Sequence, residues 1–148
     1  GAVASGNSSV AMGANTGASG YGSTALGGGT TASGSYSTAL GFSTVAGGEA
    51  SITMGRYTSA GAHAMAIGLT NSTPAPHPQV TGQQSLGIFM GDQSGIDLSA
   101  ANTMALLGGD FIVGSYQLDD TTTGSEDKRM FFDVSKGAFR AGTKYTVG

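Results

Sequence analysis

Ala-Ser-Gly-Tyr-Gly-Ser-Thr-Ala-Leu-Gly-Gly-Gly-Thr-Thr at 18–31 runs straight into Ala-Ser-Gly-Ser-Tyr-Ser-Thr-Ala-Leu-Gly-Phe-Ser-Thr-Val at 32–45. The second stretch repeats the first at a spacing of 14 residues, and the register extends both ways. Ala4, Ala18, Ala32, Ala46 and Ala60 fall in one column. Gly6, Gly20, Gly34 and Gly48 make another, with Ala62 in the fifth place, and Ser9, Ser23, Ser37 and Ser51 a third. Ala11, Ala25, Ala39 and Thr53 make a fourth, and Gly13, Gly27, Gly41 and Gly55 a fifth. The last copy is one residue shorter, so Ala66-Ile67-Gly68 stands where Ala39-Leu40-Gly41 stood. A flexible Gly/Ser linker has no reason to hold such a register. A fixed period is the mark of a solenoid, in which each copy buries itself against its neighbours.

Fourteen residues are too few for a helical repeat, so each copy is one coil of β-structure. The Ala columns at 4 and 11 lie seven apart and divide the coil into two half-turns, each a strand closed by a Gly turn. Five coils at the strand spacing of about 4.8 Å make a segment on the order of 24 Å long. Strand residues alternate between faces. Val10 and Met12 therefore oppose Ala11, Thr24 and Leu26 oppose Ala25, and Thr38 and Leu40 oppose Ala39. Ile52 and Met54 oppose Thr53, and Met65 and Ile67 oppose Ala66. A two-strand coil is thin, and the Ala columns suffice to fill it. The larger column (Val10, Met12, Leu26, Leu40, Ile52, Met54, Met65, Ile67) is then an exposed apolar face, which soluble monomers rarely tolerate. The other strand turns Ser5, Ser19, Ser33 and Gly47 outward and stays wet. This asymmetry predicts an oligomer.

Composition agrees. The chain has 148 residues with 27 Gly, 3 Pro and no Cys or Trp, and a net charge of −3. That excludes collagen, a highly charged disordered tail, a basic nucleic-acid binder, a disulfide framework and a thiolate metal site. No signal peptide is expected in this stretch, because no basic region precedes an apolar one. No membrane span is expected either, since Gly, Ser and Thr interrupt every apolar run. Only Glu49 and Arg56 are charged before residue 92. All prolines lie in Thr73-Pro74-Ala75-Pro76-His77-Pro78, which reads as an extended connector. The expected division is a β-roll at 1–70, a connector at 71–78 and a smaller β-rich segment at 79–148.

In that last segment Ser85–Met90 reads as a strand and Asn102–Gly108 as a degenerate repeat strand, followed by Phe111-Ile112-Val113. Arg129–Val134 and Ala138–Ala141 flank Ser135-Lys136-Gly137, a hairpin turn with Gly in the left-handed place.

Ser-Ser-Val-Ala-Met-Gly at 8–13, Ser-Thr-Ala-Leu-Gly at 23–27 and 37–41, and Ala-Met-Ala-Ile-Gly at 64–68 resemble the head repeats of YadA-type trimeric autotransporter adhesins. Ala-Ser-Gly at 4–6, 18–20 and 32–34 is similar to that family's second half-repeat. The resemblance covers about 70 residues. It implies an all-β fold, a left-handed parallel β-roll in an intertwined homotrimer, extracellular at a bacterial cell surface, where it attaches to a host protein or glycan. The same repeats occur in phage tail fibres, and Ala-Phe-Arg-Ala-Gly at 138–142 is similar to pieces of fibre-like proteins, so a virion tail fibre is the alternative.

Chemistry offers little else. No Gly-Lys-Ser/Thr follows the Gly-rich stretches, so their glycines read as turn residues. His63 and His77 are unclustered, and Asp92, Asp97, Asp110, Asp119 and Asp120 lack calcium-loop spacing and read as turn caps. No metal, cofactor or catalytic residue is assigned; a fibre-borne polysaccharide hydrolase would need its carboxylates in the C-terminal half. Tyr21 and Tyr36 fall in the turn before the longer strand, Phe42 and Tyr57 in the turn after it. Exposed rings there are the candidate ligand-binding residues.

Overall fold

In-register stacking has a simple cause: parallel pairing of identical strands puts Ala on Ala and Gly on Gly, so one coil is a template for the next. A computed structural model describes residues 1–71, 73 and 75–109, together with the backbone of strands at 111–114, 127–133 and 138–144. The first coil is β1 (Val3–Ala4) and β2 (Val10–Ala14). The second is β3 (Gly17–Ala18) and β4 (Thr24–Gly28), the third β5 (Thr31–Ala32) and β6 (Thr38–Phe42). The fourth is β7 (Val45–Ala46) and β8 (Ile52–Arg56), the fifth β9 (Ser59–Ala60) and β10 (Met65–Leu69). Beyond the prolines, β11 (Gln79–Val80) and β12 (Leu86–Met90) make a sixth coil, and β13 (Asp97–Leu98) and β14 (Met104–Leu107) a seventh. All short strands form one parallel seven-stranded sheet and all long strands another.

The Ala columns face each other between the sheets. Ala18, Ala25, Ala32, Ala39 and Ala46 are all 0% exposed, and Ala11 packs against them. Val10 pairs with Thr24, Met12 with Leu26 and Leu40 with Met54, as the 14-residue register requires. The shortened copy also lands as read, with Ala66 beside Thr53 and Ile67 beside Met54.

One expectation is corrected. The roll does not end at residue 70, and 71–78 does not separate two domains. β11 pairs with β9, and β12 pairs with β10 over five residues. Ala66 lies opposite Gly87, 21 positions on instead of 14, so this one coil carries seven more residues than the 14-residue repeat without breaking the ladder. Pro78 is tolerated because its place requires a carbonyl, which proline keeps. That carbonyl accepts from the Ser59 amide (3.2 Å), as the Thr58 carbonyl accepts from Val45 (2.9 Å). The core changes composition there. Val80 and Phe89 replace small residues, and Gly87 makes room, since a Cβ on it would meet Val80 Cγ2 and Phe89 Cε2. Leu98 and Leu107 complete this wider cluster.

The chain divides instead into Gly1–Gly108 and Gly109–Gly148. In the second unit β15 (Phe111–Gly114), β16 (Asp127–Asp133) and β17 (Ala138–Lys144) form an antiparallel sheet. The expected turn at Ser135-Lys136-Gly137 and the aspartates Asp110, Asp119 and Asp120 lie outside the described residues.

Each coil turns its corner before the long strand through one residue of positive φ. The column is Ser8, Gly22, Tyr36, Ala50, His63, Gln84 and Asn102. Side chains rarely accept this region, and a bulky one there is strained. Backbone bonds between coils compensate: the Tyr36 amide donates to the Tyr21 carbonyl (2.7 Å), Ala50 to Ser35 (2.8 Å) and His63 to Glu49 (2.7 Å). After the long strand, Asn15, Gly29, Ser43 and Tyr57 repeat the device.

Candidate functional site

Two features of the roll exceed what folding one chain requires: an apolar outer face and two aromatic corners. On the long-strand sheet, Met12 is 66% exposed, Val10 51% and Ile52 and Met54 each more than a third, while Leu26, Leu40, Met65 and Ile67 are half-covered by the coils above and below. In-register pairing extends the same face through Leu86, Ile88, Met104 and Leu106, beyond the expected end of the roll at residue 70. An open groove of about 560 Å3 follows one side of it, between the corner residues His63, Gln84 and Asn102 and the apolar Ile52, Met65 and Leu86. On the short-strand sheet Ser5, Ser19, Ser33 and Gly47 are exposed, as expected.

The four candidate rings come together as two pairs, at opposite ends of the long strands. Tyr21 and Tyr36 meet edge to face with centroids 5.4 Å apart. Phe42 and Tyr57 do the same at 5.5 Å. A five-residue strand separates the two corners by roughly 15 Å, so no small ligand spans both on one chain. Phe42 closes β6 rather than sitting in the turn beyond it, on the outward side above Gly28 and below Arg56.

The second pair belongs to a larger cluster. Arg56 Cζ lies 5.5 Å from the Phe42 ring centroid and 5.1 Å from that of Tyr57. His77 stands 5.0 Å from Tyr57, ring to ring, and Thr73 Oγ1 donates to Tyr57 Oη at 3.4 Å. Arg56 Nη1 donates to the Asn71 carbonyl at 3.3 Å. Arg56 was within reach of the register, since it follows Phe42 by 14 positions. His77 and Thr73 were not, because the loop that carries them belongs to no column.

His63 occupies a strained corner and is exposed. Asp97 Oδ1 accepts from Thr81 Oγ1 at 2.7 Å across neighbouring short strands. Among the described residues no three His, Cys, Asp or Glu side chains gather into a metal-sized cluster. Among them, too, no helix is long and apolar enough to cross a membrane.

Comparison with known proteins falls on the same coils. Residues 1–16 and 18–44 match the YadA head domain repeat, as two copies. The resemblance read from the columns therefore holds over the first three coils, and repeats of this kind are typical of structural adhesin proteins rather than enzymes. No curated protein and no solved structure matches the chain.

Proposed function

We propose that the chain is a segment of a homotrimeric fibre that attaches a cell to a host surface. The observation that carries this is the continuous apolar face from Val10 and Met12 to Met104 and Leu106, which one chain leaves open. Three copies closed around an axis would bury it, and YadA-type head domains form homotrimers at bacterial surfaces. Val10, Met12, Leu26, Leu40, Ile52, Met54, Met65 and Ile67 are the proposed interface, now continued by Leu86, Ile88 and Leu106. Light scattering on the purified chain tests the assembly: a trimer at micromolar concentration is expected, and a stable monomer that unfolds cooperatively would refute it.

Attachment in this reading uses the aromatic corners and no catalytic centre. Tyr21, Tyr36, Phe42 and Tyr57 offer flat contact area at small entropic cost. With Glu49 and Arg56 the only charges before residue 92, long-range electrostatic steering over the first five coils is weak, so the rate of attachment should vary little with salt. Modest affinity per chain is multiplied by three copies through effective concentration. Replacing all four rings by Ser should reduce attachment of the trimer at least tenfold, while the lost ring pairs cost stability only about 1 kcal/mol each. Normal attachment by that variant would move recognition to residues 92–148 and leave the roll a spacer.

A further inference from the structure

We infer that the corner built by Phe42, Arg56, Tyr57 and His77 is a binding site for a carboxylated sugar; this rests on the attachment reading and names the ligand class for one of its two aromatic corners. Arg56 is the only Lys or Arg side chain among the described residues, and it has no carboxylate partner among them. Its guanidinium lies over two aromatic rings, at 5.5 and 5.1 Å from their centroids. Stacking holds the fork in place without neutralising it. One donor goes to the Asn71 carbonyl, and a guanidinium carries five. The remaining donors match a carboxylate, which accepts two parallel bonds in that geometry.

The surroundings favour a sugar as the bearer of that carboxylate. Phe42 is 45% exposed at the end of its strand, a flat apolar surface for the C–H face of a pyranose. Tyr57 Oη, His77 and Thr73 Oγ1 supply hydroxyl and imidazole groups within one cluster, suited to a ring carrying many hydroxyls. Tyr57 is held at φ 52°, a costly conformation for an aromatic residue that aligned side chains and an inter-coil bond from its amide to the Phe42 carbonyl (3.0 Å) sustain. Thr73 and His77 complete the site, brought to a ring that precedes them by 16 residues or more. The Tyr21–Tyr36 corner has no cation among its described neighbours, so the two corners are chemically distinct.

The test titrates oligogalacturonate and sialyllactose, each beside its carboxyl-reduced form, into the full chain and follows the Arg56 side-chain and Tyr57 ring signals by NMR. The uronate and the sialoside present the same carboxylate on different rings, and the better binder identifies the source. At least one carboxylated sugar should bind, at least tenfold tighter than its reduced form. Arg56→Gln should weaken it at least tenfold, and Phe42→Leu, which keeps an apolar side chain, should weaken it several-fold, with oligomeric state and melting temperature retained in both. The inference is overturned by no binding of either sugar, by equal binding of the reduced forms, or by undiminished binding to Arg56→Gln. Tighter binding of an oligoglutamate peptide than of either sugar would overturn it in favour of an acidic protein. Attachment of the trimer to its surface separates the two readings. If Arg56→Gln attaches normally while Tyr21→Ser/Tyr36→Ser does not, the sugar site falls and the attachment function stands.

Discussion

Leu40→Asp should dissolve the assembly, whereas Ser33→Asp, in the same coil, should leave it whole. Leu40 lies at the middle of the outward column of the long strands, between Leu26 and Met54. In the proposed trimer, three aspartates would meet near one axis, each with a desolvation penalty of several kcal/mol and no cation to offset it. The nearest basic residue in sequence, Arg56, is already stacked on rings at the end of the strand. Ser33 is exposed on the short-strand sheet, where a carboxylate keeps its water and should alter stability by about 0.5 kcal/mol or less. Light scattering together with thermal melts reads both. Loss of the trimer for the first variant alone is expected; equal effects would mean that the faces are reversed.

The second large effect belongs to the backbone. Gly41→Ala should destabilise the roll by about 3 kcal/mol or more, and Gly17→Ala by almost nothing. Gly41 has φ 117°, a conformation that costs any side chain, and a Cβ on it would fall on the carbonyl oxygen of Gly55 in the next coil. The same close approach recurs one coil back, between Gly27 and Gly41, so the whole column is stacked at a spacing that leaves no room for a methyl group. Opening the β6–β8 ladder is the only escape, and it exposes Ala39 and Thr53, which are fully buried. Gly17 has ordinary φ and nothing within 4 Å of a built Cβ. There Ala is expected to be neutral or to stabilise by about 0.4–1 kcal/mol through the unfolded chain. Similar melting temperatures for the two variants would show that the glycine column is compositional rather than structural.

These predictions draw on different kinds of information. That Leu40 faces outward followed from its alternation with Ala39, because strand residues alternate and only the smaller set fits inside so thin a coil. The coil length and the columns at 4, 11 and 13 followed from the 14-residue period, because in-register parallel pairing converts sequence spacing directly into vertical neighbours. The same rule would have placed Arg56 on Phe42, and it put Tyr21 and Phe42 at opposite corners. Periodicity lost its power at the prolines. An insertion of any length can leave the ladder without altering it, and the degenerate repeat strand at Asn102–Gly108 did not by itself tell that its ladder is the one that ends at Leu69. Only the tertiary structure joined Leu86 to Met65 and Leu98 to Val80, extending five coils to seven. It also set Phe89 in the interior, since the room Gly87 leaves exists only when Val80 is packed beside it. His77 meets Tyr57 for a similar reason: a loop that belongs to no column takes its place from the surface it folds onto, and that surface exists only once the coils are stacked.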